Sequence, residues 1–219
     1  MSRLVNLEKM RTGGLDAGFF IVFVGQTDRT PTNYRAAQEA AMTKFEAIHR
    51  MAEELYPDQI EIAYSYSDVE RIHDEGKLVA AIGIENGYVI GDDLALLERY
   101  HSLGARYMTL AHSGHNDIAD SSTPREGLGD SDEEHGGLSS FGEEVVTEMN
   151  HLGMMIDVSH ISKNAAMQAI RASRAPVIAS HSSIYEITNH ARNMDDETLI
   201  SLRDNGGVVQ ITAFPAYVK

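Results

Sequence analysis

The sequence has no cysteine in its 219 residues. That excludes disulfide scaffolds, thiolate metal sites and cysteine nucleophiles together. Any metal has to be held by His, Asp and Glu, and there are 10 histidines to draw on. Basic residues are also scarce: Lys and Arg total 18 against 33 Asp and Glu, a formal charge of −15. A chain this acidic repels phosphate backbones, so nucleic acid is not an expected partner. Long apolar runs are missing. The longest early one, residues 18–24, has strand length and is too short to span a bilayer, so no membrane segment is expected. Residues 1–10 lack the apolar core and small-residue cleavage site of a signal peptide, and the sequence reads as cytoplasmic. Coiled-coil heptads and low-complexity tracts are absent. So are the helical metalloprotease signature of two His flanking a Glu, the nucleophile elbow and the phosphate-cradling glycine loop.

What is present is an ordinary globular composition, 42% hydrophobic and 23% charged, on a chain long enough to bury a substantial core. Short β-rich runs alternate with helical stretches. Candidate strands are 18–24, 60–64, 78–84, 106–110, 154–158, 176–179 and 207–212. A helix is expected over 33–56, where Ala37, Ala41, Phe45, Ile48, Ala52 and Leu55 form one apolar stripe and Pro57 ends it. Ser67-Asp68-Val69-Glu70 reads as a capping box opening a helix that ends at Gly76. Further helices are expected near 92–103, 140–151 and 162–172, with helical pieces to about 203. The run 78–84 is apolar on both faces, as a parallel strand covered by helices should be. This alternation predicts a parallel α/β fold. The acidic segment Asp130-Ser131-Asp132-Glu133-Glu134 reads as a solvated, mobile loop. It is not a calcium loop, because His135 stands where the turn glycine should be and Phe141 where the closing Glu should be.

Four polar residues immediately follow candidate strands: Glu85, His112, His160 and His181. In parallel α/β folds the C-terminal strand ends carry the site. Each residue alone has a plain structural reading. Glu85 can be a loop carboxylate, His112 has His115 as a decoy, His160 can pack beside a helix cap, and His181 can lie in a capping segment. Their common placement raises a metal site to equal standing, because a carboxylate with imidazoles suits Zn²⁺ when thiolates are missing. His49, His73, His101 and His151 fall in helical stretches and read as solvent-facing. His135 lies in the acidic loop, and His190 has no assignable role.

Several ordered motifs resemble the membrane (renal) dipeptidase family of zinc peptidases, in its bacterial type. They include Leu103-Gly104-Ala105-Arg106-Tyr107-Met108-Thr109-Leu110-Ala111-His112, Gly137-Leu138-Ser139-Ser140-Phe141-Gly142, Ile156-Asp157-Val158-Ser159-His160-Ile161-Ser162, Ala175-Pro176-Val177-Ile178-Ala179-Ser180-His181-Ser182-Ser183 and Ala191-Arg192-Asn193. The resemblance runs from about Val5 to the C-terminus.

It implies a TIM-type (β/α)8 barrel with two zinc ions at its C-terminal face, hydrolysing dipeptides. Glu85 matches the glutamate that bridges both metals, and His160 and His181 match the histidines on the second metal. His112 matches a substrate-pocket histidine near the scissile carbonyl, so that His112 and Glu85 are the expected catalytic residues and His112 also binds substrate. Arg192 matches the arginine that grips the substrate carboxylate. The family's first strand carries a His-x-Asp pair, but this chain has no His before His49. The family's last-strand aspartate is not found either. The resemblance therefore implies one partial barrel domain over residues 1–219, about strands 2 to 7, truncated at both ends. It would hold one half-site and therefore one zinc, and its activity by itself would be doubtful. Two other readings stay open: another barrel amidohydrolase acting on a cyclic amide or nucleobase, and a metal- or peptide-binding remnant without turnover. An open barrel leaves unpaired strand edges, so pairing, for instance as a homodimer, is compatible with this reading.

Overall fold

The computed structural model describes residues 4–219. The first three residues of the stretch read as lacking a signal peptide lie outside them. Chain order runs α1 (Leu7–Gly13), β1 (Ala17–Phe23), α2 (Pro31–Arg50), β2 (Ile60–Ile62), α3 (Tyr66–Asp74), β3 (Leu78–Glu85), α4 (Ala95–Ser102) and β4 (Ala105–Thr109). It continues with α5 (Ser140–Leu152), β5 (Met155–Asp157), α6 (Lys163–Ala172), β6 (Ile178–Ser182), α7 (Asp196–Asn205), β7 (Val208–Ile211) and a final turn, α8 (Pro215–Val218). All strand pairs are parallel. The sheet follows the order β1-β3-β4-β5-β6-β7, with the short β2 beside the start of β3. The parallel α/β expectation is met, and the six-strand path is that of an incomplete barrel curling from β1 round to β7.

The two sheet faces differ in sequence and environment. On β1, Val22 is fully buried, whereas Phe19, Ile21 and Phe23 stay more than a third exposed. The buried face packs under helices: Ala41, Phe45 and Ile48 of α2, Leu97 and Tyr100 of α4, Val145 and Met149 of α5, and Ala165 and Ala169 of α6 join β3, β4 and β5 in one core. The other face lines an open lumen of about 690 Å³, with Phe19, Ile21, Ala81 and Tyr107 low in it and Glu85, Ser180 and His181 at its rim.

Helix starts follow side-chain chemistry. Thr30, Ser139, Ser162 and Asp195 each accept a backbone N–H in the first turn of α2, α5, α6 and α7. Several expected boundaries move for that reason. α2 starts two residues earlier than expected, at Pro31, because Thr30 caps it and proline suits the first helical position. Its last turn, Met51–Leu55, is a wider π turn. The cap of α3 is Ser65, not Ser67. Ser65 accepts from Asp68 N, while the Asp68 carboxylate accepts from Tyr64 N, so the box lies one pair upstream. Helix α1, capped by Asn6, was not expected from the sequence. β6 runs on to Ser182, beyond the expected end at Ala179, because Ser182 pairs with Ile211 of β7.

The acidic loop is tied down where a mobile excursion was expected. The Asp130 carboxylate accepts from His115 N and Arg125 N. Glu134 pairs with Arg29. Asp120, fully buried, accepts from the backbone N–H groups of Glu134, His135 and Gly137.

Candidate metal centre

Parallel strands bring their C-terminal ends to one side, so the residues that terminate or follow them converge. Glu85 is the last residue of β3, His112 lies just beyond β4, His160 three residues beyond β5, and His181 inside β6. His181 thus sits on the strand itself rather than after it. Two of the turns that aim these groups are strained. Asn86, directly after Glu85, has φ 86°, and His160 has φ 71°, the only non-glycine residues with positive φ among those described. Left-handed backbone at such residues persists where the surroundings impose it, and it clusters at functional sites. Around Asn86 the imposed contacts are hydrogen bonds: its side chain donates to Val24 O and accepts from Tyr88 N.

The four residues meet at one carboxylate oxygen. Glu85 Oε1 lies 3.4 Å from His112 Nε2, 3.4 Å from His160 Nε2 and 3.2 Å from His181 Nε2. His160 Nε2 and His181 Nε2 are 2.7 Å apart. The His112 and His160 rings stack with centroids 3.8 Å apart, and Phe23 backs His112 at 4.9 Å. Burial would raise the Glu85 carboxyl, but the neighbouring imidazoles, His112 and His160 foremost, outweigh it and hold the group well below the usual carboxylate range. Burial drives His160 the other way. Helped by the nearby Arg192, His112 and His181 and opposed by Glu85, it lowers the pKa from 6.5 to about 3, so this imidazole is neutral at pH 7.

Arg192 stands behind this group. It is 4% exposed, and its Nη2 donates to His181 O at 3.0 Å. Its guanidinium lies 5.5 Å from the centre of the Tyr217 ring. Burial pulls its pKa down, and Asp157 and Glu85 are among the groups that oppose the shift. A cavity of about 360 Å³ is lined by His160, Arg192, Tyr185 and Asn193. Buried polar atoms of three of these residues, His160 Nδ1, Arg192 Nε and Asn193 Oδ1, have no hydrogen-bond partner.

This donor set suits a cation. Two ligands about 2.0–2.1 Å from a tetrahedral zinc stand about 3.3 Å apart; Glu85 Oε1 keeps 3.4 and 3.2 Å from His160 and His181, while the two imidazole nitrogens, 2.7 Å apart, have to separate to share an ion. Neutral imidazole with ionised carboxylate is the protonation state a metal requires. Glu85, His112 and His160 also lie close enough to share one ion. Three of the remaining histidines serve the frame. His115 is fully buried, its Nδ1 accepting from Ser121 N and its Nε2 facing Ser131 O. His49, expected in solvent, bridges to Leu103 O, and His190 Nδ1 accepts from Arg192 N.

Reading the sequence for residues after strands missed Asp157 and Ser180, which precede the ligating positions and are tied to them. Asp157 is fully buried, and Ser180 joins it to His181. The signal available was a carboxylate inside an otherwise apolar strand.

Comparison with known proteins bears on this site. A family model described as membrane dipeptidase (Peptidase family M19) matches residues 2–219. Dipeptidase aclJ of Aspergillus oryzae is 38% identical over 220 residues, covering 98% of this chain and 50% of its own length. Dipeptidase tcpJ of Claviceps purpurea is 36% identical, covering 96% and 49%. The crystal structure of the probable dipeptidase PvdM from Pseudomonas aeruginosa superposes with a TM-score of 0.94 at 34% identity, over 98% of this chain and 55% of that one. The chain spans about half the length of the curated relatives it matches.

Proposed function

The chain belongs to the membrane dipeptidase family, Peptidase family M19, and from that membership we propose that its site serves zinc-dependent hydrolysis of dipeptides. The observation that carries this reading is the convergence of three imidazole nitrogens within 3.4 Å of one Glu85 oxygen. In this reading Glu85, His160 and His181 hold the metal. Zinc, when bound, polarises the peptide carbonyl and lowers the pKa of a water.

The chain's own residues do the rest. Glu85 stays ionised and supplies the negative charge that a dication needs. His112, held by Phe23 on one side and the His160 ring on the other, donates Nε2–H toward the carbonyl oxygen as charge develops on it. One such donor contributes about 3–4 kcal/mol. Arg192 pairs with the free C-terminal carboxylate, the contact that selects short substrates. Its Nε, buried without a partner, is one donor available for that contact.

The test is hydrolysis of simple dipeptides and their C-terminal amides, with Zn²⁺ and with chelator, by this chain and by a form extended to the length of its relatives. The expected result is chelator-sensitive turnover of free dipeptides by the extended form, with amides poor. Little turnover is expected from the 219 residues alone, because the first-strand His-x-Asp pair is not among them. Turnover that ignores chelator, or equal rates on amides, would refute the reading.

A further inference from the structure

The buried carboxylate of Asp157 has no place in the chemistry above, and its surroundings are arranged with a direction. Each oxygen accepts two hydrogen bonds. Oδ1 takes the backbone N–H groups of Ser159 at 3.0 Å and Ser180 at 2.9 Å. Oδ2 takes the hydroxyls of Thr109 and Ser180, both at 2.6 Å. Ser180 Oγ in turn lies 2.7 Å from His181 Nδ1. A serine hydroxyl has one hydrogen. With that hydrogen committed to Asp157, Ser180 Oγ can only accept, and His181 Nδ1 must carry the proton.

We propose that Asp157, acting through Ser180, fixes His181 as the Nδ1–H tautomer, so that its bare Nε2 faces Glu85 and is preset to ligate a metal. Asp157 and Ser180 are positioning residues, reaching a ligand from behind as the partners of metal-bound histidines commonly do. The same direction accounts for the neighbouring imidazole in the metal-free chain. A bare His181 Nε2 accepts, so His160 Nε2 is the donor across their 2.7 Å contact. That leaves His160 Nδ1 bare, and it is one of the buried atoms without a partner.

The geometry also says what reverses the relay. In Asp157→Asn the amide oxygen keeps the two backbone donors, and the NH₂ falls where Oδ2 was. There it donates to Ser180 Oγ, whose hydrogen turns to His181 Nδ1. The proton of His181 then moves to Nε2, on the metal side.

The inference rests on the reading of His181 as a ligand, and the experiment separates the two. Imidazole ¹⁵N shifts and long-range couplings are recorded on the metal-free chain at about pH 8.5, well above the ordinary histidine range, and Zn²⁺ affinity is measured by calorimetry. His181 is expected as Nδ1–H in the natural chain and in Ser180→Thr, which keeps the hydroxyl. It is expected as Nε2–H in Asp157→Asn and as a mixture in Ser180→Ala. Zinc affinity should fall about 10–100-fold in Asp157→Asn and Ser180→Ala, the range for lost outer partners, and recover in Ser180→Thr. Nε2–H in the natural chain, or an unchanged tautomer in both Asp157→Asn and Ser180→Ala, overturns the proposal. A natural chain that shows Nδ1–H but binds no zinc overturns the metal reading while the relay stands.

Discussion

Acid should destabilise the metal-free chain through His160, and the size of the effect follows from its surroundings. The imidazole is 7% exposed, and its pKa falls from 6.5 to about 3. An unfolded histidine takes up its proton as pH falls through about 6.5, whereas the folded one stays neutral until near pH 3. The unfolded state therefore binds more protons across that window, and stability is lost as pH falls. Between pH 7.5 and pH 5 the loss from this one group is about 2 kcal/mol. Glu85 opposes the shift but does not add to the slope there, since its carboxyl is held low and its own contribution is lost only at more acid pH. His160→Asn removes the group, and asparagine is chosen because it tolerates the φ of 71° at this position. Urea unfolding with chelator present, followed by circular dichroism because the chain has no tryptophan, gives stability at each pH. His101, whose pKa burial also lowers, is common to both proteins and cancels. The natural chain should lose about 2 kcal/mol more than His160→Asn over this range. Parallel pH profiles for the two proteins would refute the reasoning.

In a form extended to the length of its relatives, Arg192→Lys should cost about 1.5–3 kcal/mol in kcat/KM on dipeptides, because lysine keeps the charge but not the bidentate geometry. Unchanged kinetics would remove Arg192 from the site. Thr30→Ala, which deletes the cap of α2, should cost about 1 kcal/mol in urea unfolding; unaltered stability would contradict the capping. Gly142→Ala should cost about 1–3 kcal/mol, because a Cβ there collides with the backbone oxygen of Ile118 under α5; unaltered stability would contradict the packing of α5 on the loop at Ile118.

The parts of this architecture legible in the sequence are those set by pattern and strand direction. The doubly apolar run of β3 announced a covered parallel strand. Because all strands are parallel, the residues following them had to share one end, and Glu85, His112, His160 and His181 do meet there. What stayed hidden depends on contacts between segments far apart in the chain. The extension of β6 past His181 is decided by pairing with β7. The anchoring of the acidic loop is decided by Asp120 and Arg29, 14 and 105 residues away from Glu134. Asp157 escaped notice because a carboxylate in a strand announces itself only through its partners, and those sit on β4 and β6. The shift of the α3 cap by two residues is a local failure: both serines were suitable, and the reciprocal bond from Tyr64 N to Asp68 chose Ser65.

The central claim is that Glu85, His160 and His181 together hold one cation. It is tested most directly by calorimetric titration of the chelator-stripped chain with Zn²⁺, beside Glu85→Gln, which keeps the shape and removes the charge. The account predicts one tightly bound equivalent in the natural chain and at least about tenfold weaker binding in Glu85→Gln, the loss of an interaction worth about 1.5–3 kcal/mol. Two tight equivalents, no binding, or equal affinity in both proteins would contradict it.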